Sequence, residues 1–424
     1  MKVQVKTPHF QSFGGINFME SDFKDFGFES LITAHLGSRS PVAFYSYSDI
    51  VKNIFYMHSI GGEVLDDINT LREQMKDHPD LTVCSADTIE YGSQELKRPN
   101  QEILTDKGIT HTINVHDGFN RLLPALCKEG KLLNTKKKYT LDYDGHVVEN
   151  TKRDNAVTYK HSEGYYPVLC SIDKLPVYME NRKGNSPENY RELAVIQKAF
   201  EQCDELDIHV KRFRADACCY EKETIAYLES RQIQYYIRAD LNESLRIAME
   251  DEIDWQPAKL NYKDVEVCAM EEKVFGENTY RRMVAYRKKA TGQLTIYQPD
   301  GYEYHAIITS DPGEPLEVIK FYNHRGCEGE HHFKELDYDF GWGKLPFETM
   351  EMNTVYMYST IVGYLLFNIF KHRYALKLSF ISPQMRLKNF TLHFVNLVAR
   401  WIRKSRQWIL NIYTQKDYSP IWVT

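Results

Sequence analysis

The chain has 424 residues, 42% of them hydrophobic and 26% charged, with a formal net charge of −6. That balance excludes a disordered or fibrous chain, and the length allows two or three domains, or one domain with a large insertion. Eight cysteines form no C-x-x-C pair and follow no signal peptide, which excludes a disulfide scaffold and reads as the reduced thiols of a cytoplasmic protein.

Residues 1–130 read as a mostly helical segment, with apolar residues at helical spacing between Gly and Ser-Pro breaks. In "CSADTIEYGSQEL", Ser85 or Asp87 offers an N-cap to a short helix. Such a helix would suit the second position of a helix-turn-helix, so this segment is the expected DNA-binding domain. At Lys136 the period changes. "KKKYTLDYDGHVVEN" alternates Tyr139, Leu141 and Tyr143 with Thr140, Asp142 and Asp144, which predicts a strand.

"GYYPVLCSI" and "LPVYMENRKGN" predict two more strands, and "SPENYRELAVIQKAFEQCDEL" a helix capped by Ser186 with Pro187 at its first position. "IHVKRFRADACCY", "EKETIAYLESRQ" and "IQYYIRAD" continue as strand, helix and strand. Three strands, a helix, a strand, a helix and a strand give a mixed α/β sheet in the order of a ribonuclease-H-like core, its first part spanning 131–245. From 246 to 310 the helical pattern vanishes. "KDVEVCAMEEKVF", "YRRMVAYRKK", "GQLTIYQ" and "EYHAIITS" predict a β-rich insertion, after which 311–370 completes the core. The apolar run 354–370 is short for a bilayer and carries Thr, Ser and Asn, so it reads as a buried helix.

Residues 371–424 form the expected basic helical tail. From Met352 to Lys416 there is no Asp or Glu, against ten Lys and Arg interleaved with Tyr374, Phe380, Phe390, Phe394, Trp401 and Trp408. An acid-free basic stretch with aromatics is what a phosphate backbone attracts.

Phosphodiester chemistry uses divalent metals on carboxylates, so acids at the ends of apolar strands are the candidates. Asp144 ends "YTLDYD" and Asp216 ends "IHVKRFRAD". Asp142 shares the Asp144 face as a ligand or a neighbour of one, and Asp240 reads as a turn residue. His331 and His332 are adjacent and point about 100° apart on a helix, so they cannot chelate one ion together. No zinc pattern or Gly-rich phosphate loop occurs. The segment "FYNHRGCEGEHHFKELDYDFGW" predicts a helix that keeps Tyr322, Arg325, Glu328 and Glu330. Helical geometry alone does not choose between the two glutamates.

These residues resemble the DDE transposases of bacterial insertion sequences, the cut-and-paste group with a Y-x2-R-x3-E-x6-K signature. "YNHRG" supplies Tyr322 and Arg325 at the signature spacing, and the regions around Asp144 and Asp216 resemble the two aspartate regions. The chain departs at Gly329, where the pattern has Glu, and at Asp337, near the lysine position, with Lys334 as the stand-in. Counting back from "DFGW", one extra residue within 326–329 puts Glu330 in the glutamate's register.

The resemblance implies a transposase in which Asp144, Asp216 and Glu330 hold Mg²⁺, with Mn²⁺ as a substitute. It implies phosphate contacts by Tyr322, Arg325 and Lys334, and double-stranded DNA as partner, both the inverted repeats and the target. A homodimer on DNA, no membrane and a place at the bacterial nucleoid follow. A nuclease without strand transfer and an inactive DNA-binding derivative are the alternatives.

Overall fold

The computed structural model describes Val3 and residues 9–105, 108–290 and 301–421, without the side chains of 326–331. Its centre is an eleven-stranded sheet: β1 (Gln101–Leu104), β2 (Thr110–Asn114), β3 (Lys138–Gly145), β4 (Val168–Ile172), β5 (Leu175–Arg182), β6 (His209–Ala215), β7 (Gln234–Arg238), β8 (Gln256–Leu260), β9 (Lys263–Lys273), β10 (Tyr280–Lys289) and β11 (Tyr302–Thr309). The spatial order is β1-β2-β5-β4-β3-β6-β7-β11-β10-β9-β8. β3, β6 and β7 run parallel, and the other pairings are antiparallel. The stretch β5-β4-β3-β6-β7 is the ribonuclease-H-like order expected from the sequence.

The alternation expected of β3 does not divide it into a wet and a dry face. Tyr139 to Tyr143 are all buried, because helices cover both sides of the sheet. Asp142 is therefore inside, and its register partner on β6 is Arg214. The insertion is β-rich and extends the same sheet through β11, but it opens with a helix, Glu243–Asp251. Asn242 caps that helix by accepting from the Leu245 N–H at 2.9 Å. The expected strand "GQLTIYQ" lies at 292–298, outside the described residues.

Two further expectations change. Ser186 does not cap the helix after β5, which runs Glu192–Glu205 behind Arg191. Buried Arg182 instead holds residues 186–191 as a loop, donating to the carbonyls of Pro187 (3.3 Å) and Glu188 (3.0 Å). Nor is the tail a run of helices. After the short helix Leu387–Phe390, strands Val398–Lys404 and Gln407–Tyr413 form a hairpin. "VARWIRK" and "QWILNIY" suit strands, and Ser405 and Arg406 both take positive φ (50° and 68°), the geometry of a two-residue hairpin turn.

One continuous apolar core joins the N-terminal helices, the sheet and the helix Met350–Ala375. That last helix is apolar almost all round because it runs between the helix Tyr47–Ser59 and β5. Among the described residues no helix is long and apolar enough to cross a membrane, and the described cysteines are free thiols. The segment with the tyrosine–arginine spacing is the helix Pro315–Asp339, with Pro at its first turn. Two residues beyond its end stands Gly341, whose φ of 79° reverses the chain and lets Trp342 bury its ring and donate to Thr360 Oγ1 at 2.9 Å.

Candidate active site

Parallel strands β3 and β6 lie side by side, and their C-terminal ends present Asp144 and Asp216 at the same edge of the sheet. Asp216 follows Ala215 and caps the short turn Ala217–Cys219, accepting from the Cys218 N–H at 3.0 Å. Asp144 Oδ1 accepts from the Gly145 N–H at 3.1 Å and pairs with Arg325 Nη2 at 3.1 Å. Arg325 Nη2 also donates to the Tyr143 carbonyl at 2.9 Å, so the long helix is tied to the end of β3.

Glu188, from the loop after β5, completes the cluster. Its Oε1 accepts from the same Gly145 N–H at 3.0 Å and its Oε2 from the Tyr166 hydroxyl at 2.7 Å. Its backbone carbonyl accepts from the Tyr143 hydroxyl at 2.9 Å. Glu188, Asp216 and Cys218 have potential ligand atoms all within 4.8 Å of one another. Nothing in "NSPENY" separates Glu188 from an ordinary first-turn acid of a helix. Its capture depends on Tyr166 and Gly145, which the sequence places far away.

Burial raises the Asp144 carboxyl, Arg325 opposes that shift and Asp216 adds to it. Burial also raises Glu188, helped by the charges of Asp216 and Asp144 and opposed by the Tyr166 hydrogen bond. Burial alone would lower Arg325, but Asp144 and then Asp216 hold its guanidinium firmly charged. Oxygen donors that raise one another's pKa favour a hard divalent cation. The Cys218 thiol, pushed well up by burial, stays protonated and adds no soft thiolate.

The other candidates fall into distinct places. Asp142 is a structural ion pair, accepting from Arg214 Nε and Nη2 at 2.7 and 2.8 Å. Arg214 Nη1 reaches the Phe321 carbonyl at 2.9 Å and so fastens the long helix a second time. Asp240 lies in the irregular segment between β7 and the helix Glu243–Asp251, its carbonyl accepting from the Asn242 N–H at 3.0 Å. Tyr322 packs against the insertion, in a cluster with Tyr236, Val284 and Ile307, and burial pushes its phenol up to about 12. Lys334 is exposed on the long helix, while Asp337 pairs with His146 Nε2 at 2.8 Å. Glu330 and Glu328 stand on the same helix, but their side chains lie outside the described residues.

Comparison with known proteins bears on the same elements. A family model described as "Transposase DDE domain group 1" matches residues 1–422. No curated protein sequence matches. Among solved structures, the piggyBac transposase synaptic complex with hairpin DNA, determined by cryo-EM, aligns at a TM-score of 0.47 and 9% identity. That alignment covers 90% of this chain and 80% of that one.

Proposed function

The chain belongs to the DDE-domain transposases, and from that premise we propose that it is an insertion-sequence transposase that cuts DNA at its element's ends and joins the freed 3′-hydroxyl to target DNA. The observation that carries this reading is the convergence of Asp144 and Asp216 at the ends of neighbouring parallel strands, under the helix that bears Glu330.

In this reading Asp144, Asp216 and Glu330 hold Mg²⁺, or Mn²⁺ in its place. The chemistry such a cation supplies is polarisation of a phosphate oxygen and a more acidic bound water. The remaining roles belong to the chain. Arg325 holds Asp144 in place and keeps its charge within the site when DNA arrives. Tyr322 and Lys334, from the same helix, contact the phosphate backbone beside the cut, and Arg325 contributes there through donors not aimed at Asp144. Double-stranded DNA, as inverted repeats and as target, is the partner, bound by a homodimer.

The basic C-terminal hairpin supports this. It keeps Arg400, Arg403, Lys404 and Arg406 together with Trp401 and Trp408 on a two-stranded ribbon, a shape and charge that suit a duplex groove. It also bridges to the N-terminal segment at Gln11 and Phe13, which links the two regions expected on DNA. The test incubates the purified chain with Mg²⁺ and linear DNA carrying the inverted repeats that flank its coding region. Cuts at the repeat ends followed by joined products are expected. Cutting without joining would make it a nuclease, and no cutting at all an inactive derivative.

A further inference from the structure

The proposed metal centre needs three carboxylates, and the resemblance places the third on the long helix. The fold supplies one from elsewhere. We infer that Glu188 is a further metal-holding carboxylate of this centre, positioned by Tyr166 and the Gly145 N–H. The inference rests on the transposase reading above and extends its ligand set.

Three observations carry it. First, a carboxylate offers about four acceptor sites, and Glu188 uses one on Gly145 and one on Tyr166, so capacity remains beside Asp216. Second, the site is short of positive charge. Among the described residues Asp144, Asp216 and Glu188 gather around the single guanidinium of Arg325, which pairs with Asp144 at 3.1 Å, so the acids outnumber the base there. The other nearby guanidiniums are engaged: Arg182 with Glu180 at 2.9 Å and Arg214 with Asp142 at 2.7 Å.

Third, the holding groups leave no slack. A Cβ on Gly145 would lie 2.4 Å from the Tyr166 hydroxyl, so the glycine is what lets that hydroxyl sit against Glu188. A tyrosine that fixes the orientation of a ligating carboxylate acts as the outer partners of metal ligands do.

The experiment titrates the full-length chain with Mn²⁺ alone and reads free Mn²⁺ by its paramagnetic resonance signal, with thermal unfolding in metal-free buffer as a second readout. Glu188→Gln is expected to weaken Mn²⁺ binding at least about tenfold, and Tyr166→Phe by about tenfold, while metal-free unfolding changes little. Asp216→Asn serves as the reference. If Asp216→Asn loses Mn²⁺ and both Glu188→Gln and Tyr166→Phe bind it as the unsubstituted chain does, Glu188 is structural and the inference fails alone. If Asp216→Asn also binds normally, the metal centre itself is misplaced. Should Glu188→Gln fail to fold, Tyr166→Phe decides, since it leaves the carboxylate in place and removes only its orienting bond.

Discussion

Asp144 Oδ1 and Glu188 Oε1 share one donor, the Gly145 backbone N–H, at 3.1 and 3.0 Å. Two half-buried carboxylates on a single N–H repel each other unless a cation lies between them or one takes up a proton. Their placement is a property of the backbone at the end of β3. Gly145→Ala should break it, because the new methyl would displace the Tyr166 hydroxyl. The expected outcome is a loss of ~1–3 kcal/mol in stability, typical of overpacking, together with loss of DNA cleavage. Urea denaturation and a nicking assay on the same preparation check both.

The Asp142–Arg214 pair predicts a larger structural effect at a position without chemistry. Both side chains are nearly fully buried, and Arg214 also holds the Phe321 carbonyl. Arg214→Met would strip the buried Asp142 carboxylate of its two guanidinium donors, at a cost of ~3–5 kcal/mol. Denaturant midpoints measure this, and the double substitution Asp142→Leu with Arg214→Met should recover much of the loss. A double variant as unstable as the single one would show that the bond to Phe321, not the ion pair, matters most.

Much of this arrangement is legible in the sequence, and the reasons differ by element. β3, β6 and β7 stand out as apolar runs ending in acids, and the spacing of Tyr322 and Arg325 marks the long helix. Glu188 is not legible, because buried Arg182 at the end of β5 converts the expected helix start into a loop. The C-terminal hairpin is hidden because a lack of acids speaks to charge and not to period. Its strand-forming residues and its turn at Ser405–Arg406 are the local features that decide. Asp142 is legible as an inward acid, yet its role depends on a register partner that only pairing reveals.

Stability should fall with acid in a defined window. Burial lowers His58 and His116 to about 4, against about 6.5 in an unfolded chain. Between those values the unfolded chain binds protons that the folded chain does not, so the folded state loses ground as pH falls. The contribution is fully present above about 6.5 and declines down to about 4, by up to ~3 kcal/mol for each histidine. The raised carboxyls of Asp144 and Glu188 act in the opposite sense. Denaturant unfolding at pH 7 and pH 5 is therefore compared between the unsubstituted chain and His116→Gln, and an equal pH dependence in both would contradict the histidine contribution.

The C-terminal hairpin predicts a salt signature. Replacing Arg400, Arg403, Lys404 and Arg406 with alanine should weaken DNA binding and flatten the log–log dependence on salt by about one unit for each phosphate no longer neutralised. The substitutions leave the backbone groups that pair the hairpin with Gln11 in place, and thermal unfolding of the same preparation checks that the variant is folded. An unchanged slope would assign the ribbon to packing.

The most direct test concerns Asp216, which follows β6 on the Asp144 edge of the sheet and contacts no basic side chain in the described ion pairs. Asp216→Asn should keep its binding to DNA carrying the element ends while losing Mg²⁺-dependent cleavage and joining. Removing a metal-holding group forfeits several kcal/mol of transition-state stabilisation, at least about a hundredfold in rate. The decisive measurement is the single-turnover cleavage rate of this variant against the unsubstituted chain on end-bearing DNA in Mg²⁺. A hundredfold loss with unchanged DNA affinity is the result the account predicts, and cleavage at the unsubstituted rate would contradict it.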